Sequence, residues 1–327
     1  MYIVTGGAGF IGSALLWKLN SQGVDDILVV DNLACSEKWK NLVNRRFRDY
    51  MHRDVFREHV ESGRLENVLG ARPAALVHLG ACSGTTERDA DFLMRNNTAY
   101  SKLLCRYALD RGIRFIQASS AATYGDGVAG FDDDPRRLDA LRPLNMYGYS
   151  KHLFDLWAHR EGALQNIAVL KFFNVYGPNE QHKGEMRSMV NKAFHQVKES
   201  GRVRLFRPAS PNGAADVRRR DFVYVKDCVA ILHELTVRAD VNGIFNVGTG
   251  RARTWNELAG AVFKAMRRPE NIEYVDMPVA LRGKYQDFTE ADTRRLRAAG
   301  LPLPSGDLDS CVQDYIRNYL DSPDPYL

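Results

Sequence analysis

The chain has 327 residues, of which 45% are hydrophobic and 26% charged, enough for a sizeable core in one large or two modest domains. No apolar run reaches the roughly 18 residues of a membrane span, and the N-terminus lacks the layout of a signal peptide. The five cysteines form no C-x-x-C pair. We therefore expect reduced thiols in a cytoplasmic protein, with no disulfide framework and no metal site.

The net charge of +5 could suit either nucleic acid or a small anionic ligand. Its main basic cluster, Arg218–Arg220, is short and leads directly into a strand-like segment. Because no nucleic-acid motif accompanies the cluster, the composition favours the phosphate of a small molecule over a polymer or a membrane.

The first predicted unit is a strand, a glycine turn and a helix. Tyr2–Thr5 is the apolar strand, and an amphipathic helix follows from about Phe10 to Gln22. Between them, Gly6 permits a tight turn, Gly9 lets a pyrophosphate approach the backbone, and Gly12 lets the helix pack on the strand. The free amides at the helix N-terminus bind the anion. This pattern predicts a dinucleotide site.

The second strand, Ile27–Asp31, ends in an acid about 19 residues beyond Gly12. By spacing alone, Asp31 binds the ribose 2′-hydroxyl and favours NAD. Basic side chains downstream could instead neutralise the 2′-phosphate of NADP, so the sequence pattern leaves the cofactor open. They are Lys38, Arg45, Arg46 and Arg53.

Two further strands carry polar residues at their ends. Ala74–Leu79 runs into the small-residue turn Gly80–Ser83, and Phe115–Ser120 ends in two serines. Between these strands a long helix is predicted from about Asp91 to Arg111, and it carries Asn96 and Asn97. Ligands of open parallel sheets bind at the carboxyl ends of the strands, so these turns are candidate site positions.

A loop predicted over residues 126–145 leads into a helix that carries Tyr147 and Lys151 one turn apart. A free tyrosine has a pKa of ~10 and is a poor base at neutral pH. At an effective dielectric of ~20, a lysine ~4 Å away favours the phenolate by about 4 kcal/mol before desolvation is subtracted. The pair therefore predicts a tyrosinate that takes a proton from an alcohol, with Ser120 holding the reacting hydroxyl.

Alternating strands and helices continue to the strand Ile167–Phe172, and the pattern then becomes irregular. We predict an α/β fold, a Rossmann-type doubly wound parallel sheet with a smaller α/β substrate-binding lobe in the C-terminal half. The expected nucleotide-binding domain comprises 1–172 with 224–251 and 287–301, and the expected lobe comprises 173–223, 252–286 and 302–327.

The motif T-G-G-A-G-F-I-G, the serine-ended strand and Y-x-x-x-K occur in an order and at distances that resemble the extended short-chain dehydrogenase/reductase family over essentially the whole chain. Within that family, several segments resemble the ADP-L-glycero-D-manno-heptose 6-epimerases. These segments are His78–Thr86, Ser119–Gly125, Phe173–Pro178, His182–Gly184, Arg220–Val225 and Arg282–Gln286.

The resemblance implies an isomerase that inverts C6″ of ADP-D-glycero-β-D-manno-heptose by transient oxidation and re-reduction, supplying heptose for the lipopolysaccharide core. It implies tightly held NADP, with NAD possible, and a homo-oligomer, since resembling enzymes are pentamers. Catalysis is assigned to Tyr147, Lys183 and Ser120, with Lys151 in support. The implied cofactor contacts are Gly6, Gly9, Phe10, Ile11, Gly12, Asp31, Asn32, Lys38, Arg53, Leu79, Gly80, Ala81, Cys82, Ser83, Asn96, Tyr147, Lys151, Val175 and Lys183. The implied substrate contacts are Ser120, Asn174, Glu185, Lys192, Phe206, Arg220 and Tyr285.

Three features depart from the pattern of those epimerases. Leu79 stands where an acid is frequent, Glu185 stands where a small or basic residue is usual, and the loop from Arg207 to Arg219 is longer. The departures leave the predicted chemistry alone and bear on contacts to the nucleotide end of the substrate.

Three rival functions share this fold. A nucleotide-sugar 4,6-dehydratase usually carries Asp-Glu where this chain has Ala121 and Ala122, whose methyl groups transfer no protons. A non-catalytic NADP-sensing regulator generally loses the tyrosine–lysine pair, which is intact here. A net dehydrogenase that releases NADPH has the same motifs and remains open.

Overall fold

The computed structural model describes residues 1–207, 218–276 and 286–327. Tyr285 and most of the predicted long loop, residues 208–217, lie outside the described residues. No helix within the described ranges combines the length and the apolar character needed to cross a membrane.

A seven-stranded parallel sheet forms the centre of the molecule. Its central strands are buried on both faces, which explains their continuous apolar runs. The predicted α/β class and doubly wound parallel sheet are confirmed. The strands of the sheet are β1 (Tyr2–Thr5), β2 (Ile27–Asp31), β3 (Asp49–His52), β4 (Ala75–His78), β5 (Arg114–Ser120), β6 (Ile167–Phe172) and β10 (Gly243–Val247). Their order across the sheet is β3-β2-β1-β4-β5-β6-β10.

Helices cover the faces of this sheet. The helix that follows the glycine turn, α1 (Phe10–Ser21), packs against α8 (Val225–Val237), while α5 (Tyr100–Asp110) and α6 (Met146–Arg160) both contact β5. The predicted helix from about Asp91 to Arg111 is built from α4 (Ala90–Leu93), a π-helical turn at Met94–Ala99, and α5. The remaining α-helices are α2 (Arg53–Glu61), α3 (Leu65–Leu69), α7 (Met189–Ser200), α9 (Trp255–Ala265), α10 (Arg294–Ala298) and α11 (Leu308–Tyr315).

Two small sheets lie outside the central one. In the first, β9 (Arg219–Tyr224) pairs in parallel with β7 (Asn174–Tyr176) and antiparallel with β11 (Ala252–Thr254). In the second, β8 (Val203–Phe206) and β12 (Ile272–Val275) are parallel. These strands fall in the segments predicted for the lobe, except that β9 ends at Tyr224, the first residue of a segment predicted for the nucleotide-binding domain. The strand β10 returns to the central sheet. The exact domain boundaries stay a prediction.

The sequence patterns missed β3, α2, α3 and the short strands β7, β11 and β12. The β3 segment, Asp-Tyr-Met-His, is only half-buried and has no apolar run. The strands β7 and β11 have three residues each and are too short to show alternation. The loop predicted over 126–145 contains one 3-10 turn, Pro135–Ala140, which Asp134 caps by accepting from the Arg136 amide at 2.9 Å.

Candidate active site

A cleft of about 600 Å³ opens along the carboxyl edge of the central sheet. It brings together most of the residues expected from the sequence, and it adds several that sequence reasoning missed. The expected residues that line it are Gly6, Gly9, Phe10, Ile11, Gly12, Asp31, Asn32, Lys38, Leu79, Gly80, Ala81, Ser83, Ser120, Tyr147, Lys151, Val175 and Lys183. The additional ones are Leu33, Ala34, Ser36, Ala118, Ser119, Phe172, Phe173 and His182.

The glycine turn leaves room for a ligand at the N-terminus of α1. Gly6 has φ +67°, a conformation that favours glycine, and a Cβ on Gly12 would lie 2.0 Å from the carbonyl oxygen of Gly6. No side chain caps the start of α1, and its first turn contains no acidic residue. The amides of this turn therefore face the cleft as an anion site, which fits the pyrophosphate of a dinucleotide.

Asp31 is tied to the glycine turn and to a lysine. Its Oδ2 accepts from the Ala8 amide at 2.8 Å, and its Oδ1 accepts from the Asn32 amide at 2.7 Å. Lys38 Nζ also donates to Oδ1, at 2.6 Å, in a charge-assisted contact. The carboxylate is therefore neutralised by Lys38, which sequence spacing could not reveal.

Arg53 and Asn96 lie outside the main cleft and contact each other. Arg53 Nη1 donates to Asn96 Oδ1 at 2.7 Å, and both residues line a smaller pocket of about 150 Å³. Cys82 is also absent from the lining of the main cleft. The Asn97 side chain holds the backbone of Cys82 in place. It accepts a hydrogen bond from the Cys82 amide at 2.9 Å and donates one to the Cys82 carbonyl at 3.0 Å.

Tyr147 lies in the first turn of α6, where Asn145 caps the helix by accepting from the Gly148 amide at 2.8 Å. Its phenol is hydrogen-bonded to Ser120 at the end of β5. Burial nevertheless raises the pKa of Tyr147, because it outweighs the hydrogen bond from Ser120. This direction is opposite to the one expected from the tyrosine–lysine spacing.

Lys151 explains part of that difference. Its side chain is buried, and Nζ donates to the carbonyl of Ala118 at 2.9 Å. Burial lowers the pKa of Lys151 to about 8, while the charge of Asp155 opposes the shift. In the protein alone, the ammonium thus stabilises the end of β5, and the phenol of Tyr147 stays protonated at neutral pH.

Lys183 projects into the same cleft from the 3-10 turn Gln181–Met186, and its Nζ lies 5.0 Å from the centroid of the Phe10 ring. Burial lowers its pKa, against the opposing charge of Glu180. Glu180 is fully buried and fixes this turn, since it accepts from the Ser188 amide at 2.5 Å and from the Tyr315 hydroxyl at 3.0 Å. Lys183 is therefore not a lysine of a solvated loop.

Most of the expected substrate contacts do not line the cleft. Glu185 is exposed and forms an ion pair with Lys192 at 3.3 Å. Asn174 Oδ1 accepts from the Thr289 hydroxyl at 3.4 Å. The carbonyl of Phe206 accepts from Arg218 at 2.6 Å, and the side chain of Arg220 is buried. Their assignment to the substrate stays a prediction, as does that of Tyr285.

The sequence matches the model of the NAD dependent epimerase/dehydratase family over residues 2–248. The chain belongs to this family. It is 60% identical over 327 residues to the ADP-L-glycero-D-manno-heptose-6-epimerase of Nitratidesulfovibrio vulgaris strain DP4, with 100% of both chains covered. It is 45% identical to the protein of the same name from Fusobacterium nucleatum, again with 100% of both covered.

Solved structures of family enzymes share the fold. The Helicobacter pylori ADP-L-glycero-D-manno-heptose-6-epimerase superposes with a TM-score of 0.80 at 25% identity, covering 97% of this chain and 95% of that one. The Thermotoga maritima UDP-glucose 4-epimerase with UDP-glucose gives a TM-score of 0.77 at 26% identity, covering 97% and 98%. The family's dependence on NAD agrees with the anion site at α1, so the cleft is that of a nicotinamide dinucleotide.

Proposed function

We propose that the chain is an ADP-L-glycero-D-manno-heptose 6-epimerase that inverts C6″ of ADP-D-glycero-β-D-manno-heptose. Full-length identity of 60% to an enzyme of that name supports the substrate. The geometric observation that carries the reaction type is that two groups able to carry a proton, Tyr147 and Lys183, line the same cleft as the glycine turn.

The substrate dictates an oxidative route. C6″ bears a hydroxyl, a hydrogen and carbon substituents, and no carbonyl lies next to it, so direct removal of its proton would require a very weak carbon acid. When bound, the nicotinamide dinucleotide supplies reversible hydride acceptance. Oxidation gives a planar 6″-ketone, and return of the hydride to the other face after the ketone turns inverts the centre. The net redox change is zero.

The residues of the chain move the proton. In one pose, Ser120 holds the 6″-oxygen and Tyr147 exchanges its proton, which requires the raised pKa of the phenol to fall. Lys151, one turn along α6, is the cation placed to lower it. In the other pose, Lys183 exchanges the proton, and its burial, which lowers the pKa, brings the ammonium nearer to titration at neutral pH.

We infer that NADP is the cofactor. Lys38 neutralises Asp31, so the 2′-phosphate of NADP would not meet an unpaired carboxylate at this position. We further propose a cytoplasmic homo-oligomer that supplies heptose for the lipopolysaccharide core. In this proposal the sugar is held by the lobe comprising 173–223, 252–286 and 302–327.

The direct test is an NMR assay of C6″ configuration after incubation of the purified protein with ADP-D-glycero-β-D-manno-heptose. We expect conversion to the L-glycero epimer without added cofactor and without accumulation of NADPH. Steady release of NADPH would instead identify a net dehydrogenase. A product that has lost water would identify a dehydratase, which Ala121 and Ala122 argue against.

A further inference from the structure

A buried ion pair lies directly behind the active-site edge of the central sheet. Asp155 on α6 and Lys171 on β6 are both completely buried, and Lys171 Nζ lies 3.6 Å from Asp155 Oδ2. Asp155 is one helical turn beyond Lys151, so both side chains lie on the face of α6 that covers the sheet. The proposed reaction assigns no role to either member of the pair.

The ion pair is connected to the strand end that carries Ser120. Ser119 Oγ donates to Asp155 Oδ2 at 2.8 Å, and Ser119 lies opposite Lys171 in the register of β5 and β6. The preceding residue, Ala118, accepts from Lys151 Nζ. Three successive residues of β5 thus contact the groups on α6: Ala118 contacts Lys151, Ser119 contacts Asp155, and Ser120 contacts Tyr147.

Fold stability is a weak reason for this arrangement. Replacing a buried ion pair with apolar residues of similar volume is often neutral or stabilising, because two charges must be taken out of water. Here the compensation is incomplete, since Asp155 Oδ1 and Lys171 Nζ have no hydrogen-bond partner in the described part of the chain. The Lys171 ammonium lies instead over the Tyr124 ring, 4.3 Å from its centroid.

We propose that Asp155, held in place by Lys171 and Ser119, is a positioning residue that keeps the Lys151 ammonium charged and aligned beside Tyr147. In its kinetic part this inference rests on the proposed epimerase function. The physical reason is that burial disfavours the charged form of Lys151 and the carboxylate of Asp155 opposes that effect.

Asp155 is the main source of negative charge near Lys151. Burial raises the pKa of Asp155, and Lys171, Ser119 and Lys151 all favour its ionised form against that effect. His78 on β4 is neutral, because burial lowers its pKa to about 3. His152 on α6 is also neutral, since burial and the charge of Lys171 lower its pKa to about 4. The remaining titratable or charged neighbours of Lys151, Asp155 and Lys171 are Tyr147, Cys82, Tyr124 and Asp133.

The test is Asp155→Asn in the NADP-loaded protein, with kcat measured against pH. If Lys151 acts as a cation, activity falls as the pH rises through its pKa in the enzyme–substrate complex. Removing the carboxylate should move this loss of activity toward acid by about two pH units, as expected for opposite charges roughly 6 Å apart at an effective dielectric of ~20. Asp155→Glu should restore the wild-type position.

A second readout does not depend on epimerisation. The Lys151 Cε signal, assigned as the 13C resonance that Lys151→Met removes, is titrated by NMR in the loaded protein. We expect the midpoint of this titration to move toward acid in Asp155→Asn by the same amount as the loss of activity in the pH profile of kcat. Exposed Asp110→Asn changes the net charge equally and should leave both readouts unchanged.

Asp155→Asn leaves Lys171 without its counter-ion, so this variant could fail to fold. The double variant Asp155→Asn/Lys171→Met removes both charges and then carries the test. It should fold, and both its loss of activity with rising pH and its Lys151 titration midpoint should stay shifted toward acid.

A uniform loss of kcat at all pH values with an unshifted Lys151 midpoint would reduce the pair to a structural role and overturn the proposal. The proposal would also be overturned if the folded double variant lost activity at the same pH as the wild type. A shifted NMR midpoint in a protein that epimerises nothing would overturn the proposed function but support the assignment of Asp155.

Discussion

At Tyr147, the scale of a single residue, two effects oppose each other. Burial raises the pKa of the phenol, and the hydrogen bond with Ser120 opposes that rise only in part. The role proposed for Tyr147 as a base therefore requires the assembled complex, in which substrate, cofactor and Lys151 share the cleft.

Tyr147→Phe tests this assignment. It should keep the fold and the bound dinucleotide but lower kcat by at least the 10²-fold typical of losing a general base. Tyr149→Phe, on an exposed position of the same helix, is the matched control and should behave as the wild type. The measurements are NMR turnover and the nucleotide released on denaturation. Near-normal turnover in Tyr147→Phe would place the base elsewhere.

Lys183→Met separates an epimerase from an ordinary dehydrogenase. In the proposed mechanism the ketone presents its oxygen in two poses. Loss of Lys183 should then abolish epimerisation while leaving a half-reaction in the pose assigned to Tyr147. The variant is mixed separately with each C6″ epimer, and reduction of bound NADP is followed by absorbance. The absorbance of reduced NADP should appear with one of the two epimers and not with the other.

Lys198→Met, an exposed lysine on α7, is the control for loss of a lysine. Wild-type epimerisation by Lys183→Met would mean that a single group serves both poses.

Lys38 should set the preference between the two dinucleotides. Lys38→Ala removes a cation and leaves the Asp31 carboxylate bare, so the affinity for NADP should fall about tenfold or more relative to NAD, in line with the loss of a hydrogen bond to a charged group. Calorimetric titration with both cofactors measures the ratio. Lys40→Ala, whose partner is Glu37, is the neighbouring control. Equal losses for NADP and NAD would contradict the assignment.

At the scale of elements, Asp221 joins three segments that are remote in sequence. From β9, its carboxylate accepts from the amides of Thr249 at 2.7 Å, Gly250 at 2.9 Å and Ala291 at 3.0 Å. It thereby fixes the turn that follows β10 and the chain that leads to α10. This buried side chain thus links the three-stranded sheet of β7, β9 and β11 to the segments that follow β10.

Asp221→Ala should destabilise the protein by roughly 3 kcal/mol or more, since an unsatisfied buried donor costs about 1–3 kcal/mol and three amides lose their acceptor. The shift of the urea unfolding midpoint measures this loss. Asp240→Ala, on an exposed loop, should change the midpoint little. A similar small shift for Asp221→Ala would mean that water replaces the carboxylate without loss.

At the scale of the whole molecule, Asp133 connects the 126–145 loop to the central sheet and to α10. Its Oδ2 accepts from the Asn246 amide on β10 at 2.7 Å, and its Oδ1 lies 3.6 Å from Arg295 Nε. Burial raises the pKa of Asp133 to about 7, because it outweighs both of these contacts.

The sign of its effect on stability follows from this raised pKa. The unfolded carboxyl releases its proton near pH ~3.9, whereas the folded one keeps it until about pH 7, so stability from this group is lost as the pH rises through that window. Asp133→Asn does not titrate. Its free energy of unfolding relative to the wild type should therefore rise by about 2 kcal/mol or more between about pH 5 and about pH 8.

Urea unfolding of both proteins at the two pH values measures this change in relative stability. Any effect of the substitution that does not depend on pH cancels between the two measurements. Asp126→Asn, exposed in the same loop, should show no such pH dependence. A difference independent of pH would mean that Asp133 is ionised throughout.

The sequence by itself determined the elements whose signal is local. Apolar runs such as Ile27–Asp31 predict strands buried on both faces, and the glycines between β1 and α1 predict a turn that only glycine fits. The four-residue spacing of Tyr147 and Lys151 places both on one face of a helix. Such patterns depend on neighbours along the chain, so the sheet, the dinucleotide turn and the candidate base could be predicted.

Only the tertiary structure decided what depends on neighbours far along the chain. The pairing of Lys38 with Asp31, the position of Lys183 against Phe10 and the ion pair of Asp155 with Lys171 leave no trace in local periodicity. The raised pKa of Tyr147 likewise reflects burial by the whole fold. Desolvation and side-chain contacts arise when separate segments pack together, which is why the chemistry of the cleft could be read only from the assembled molecule.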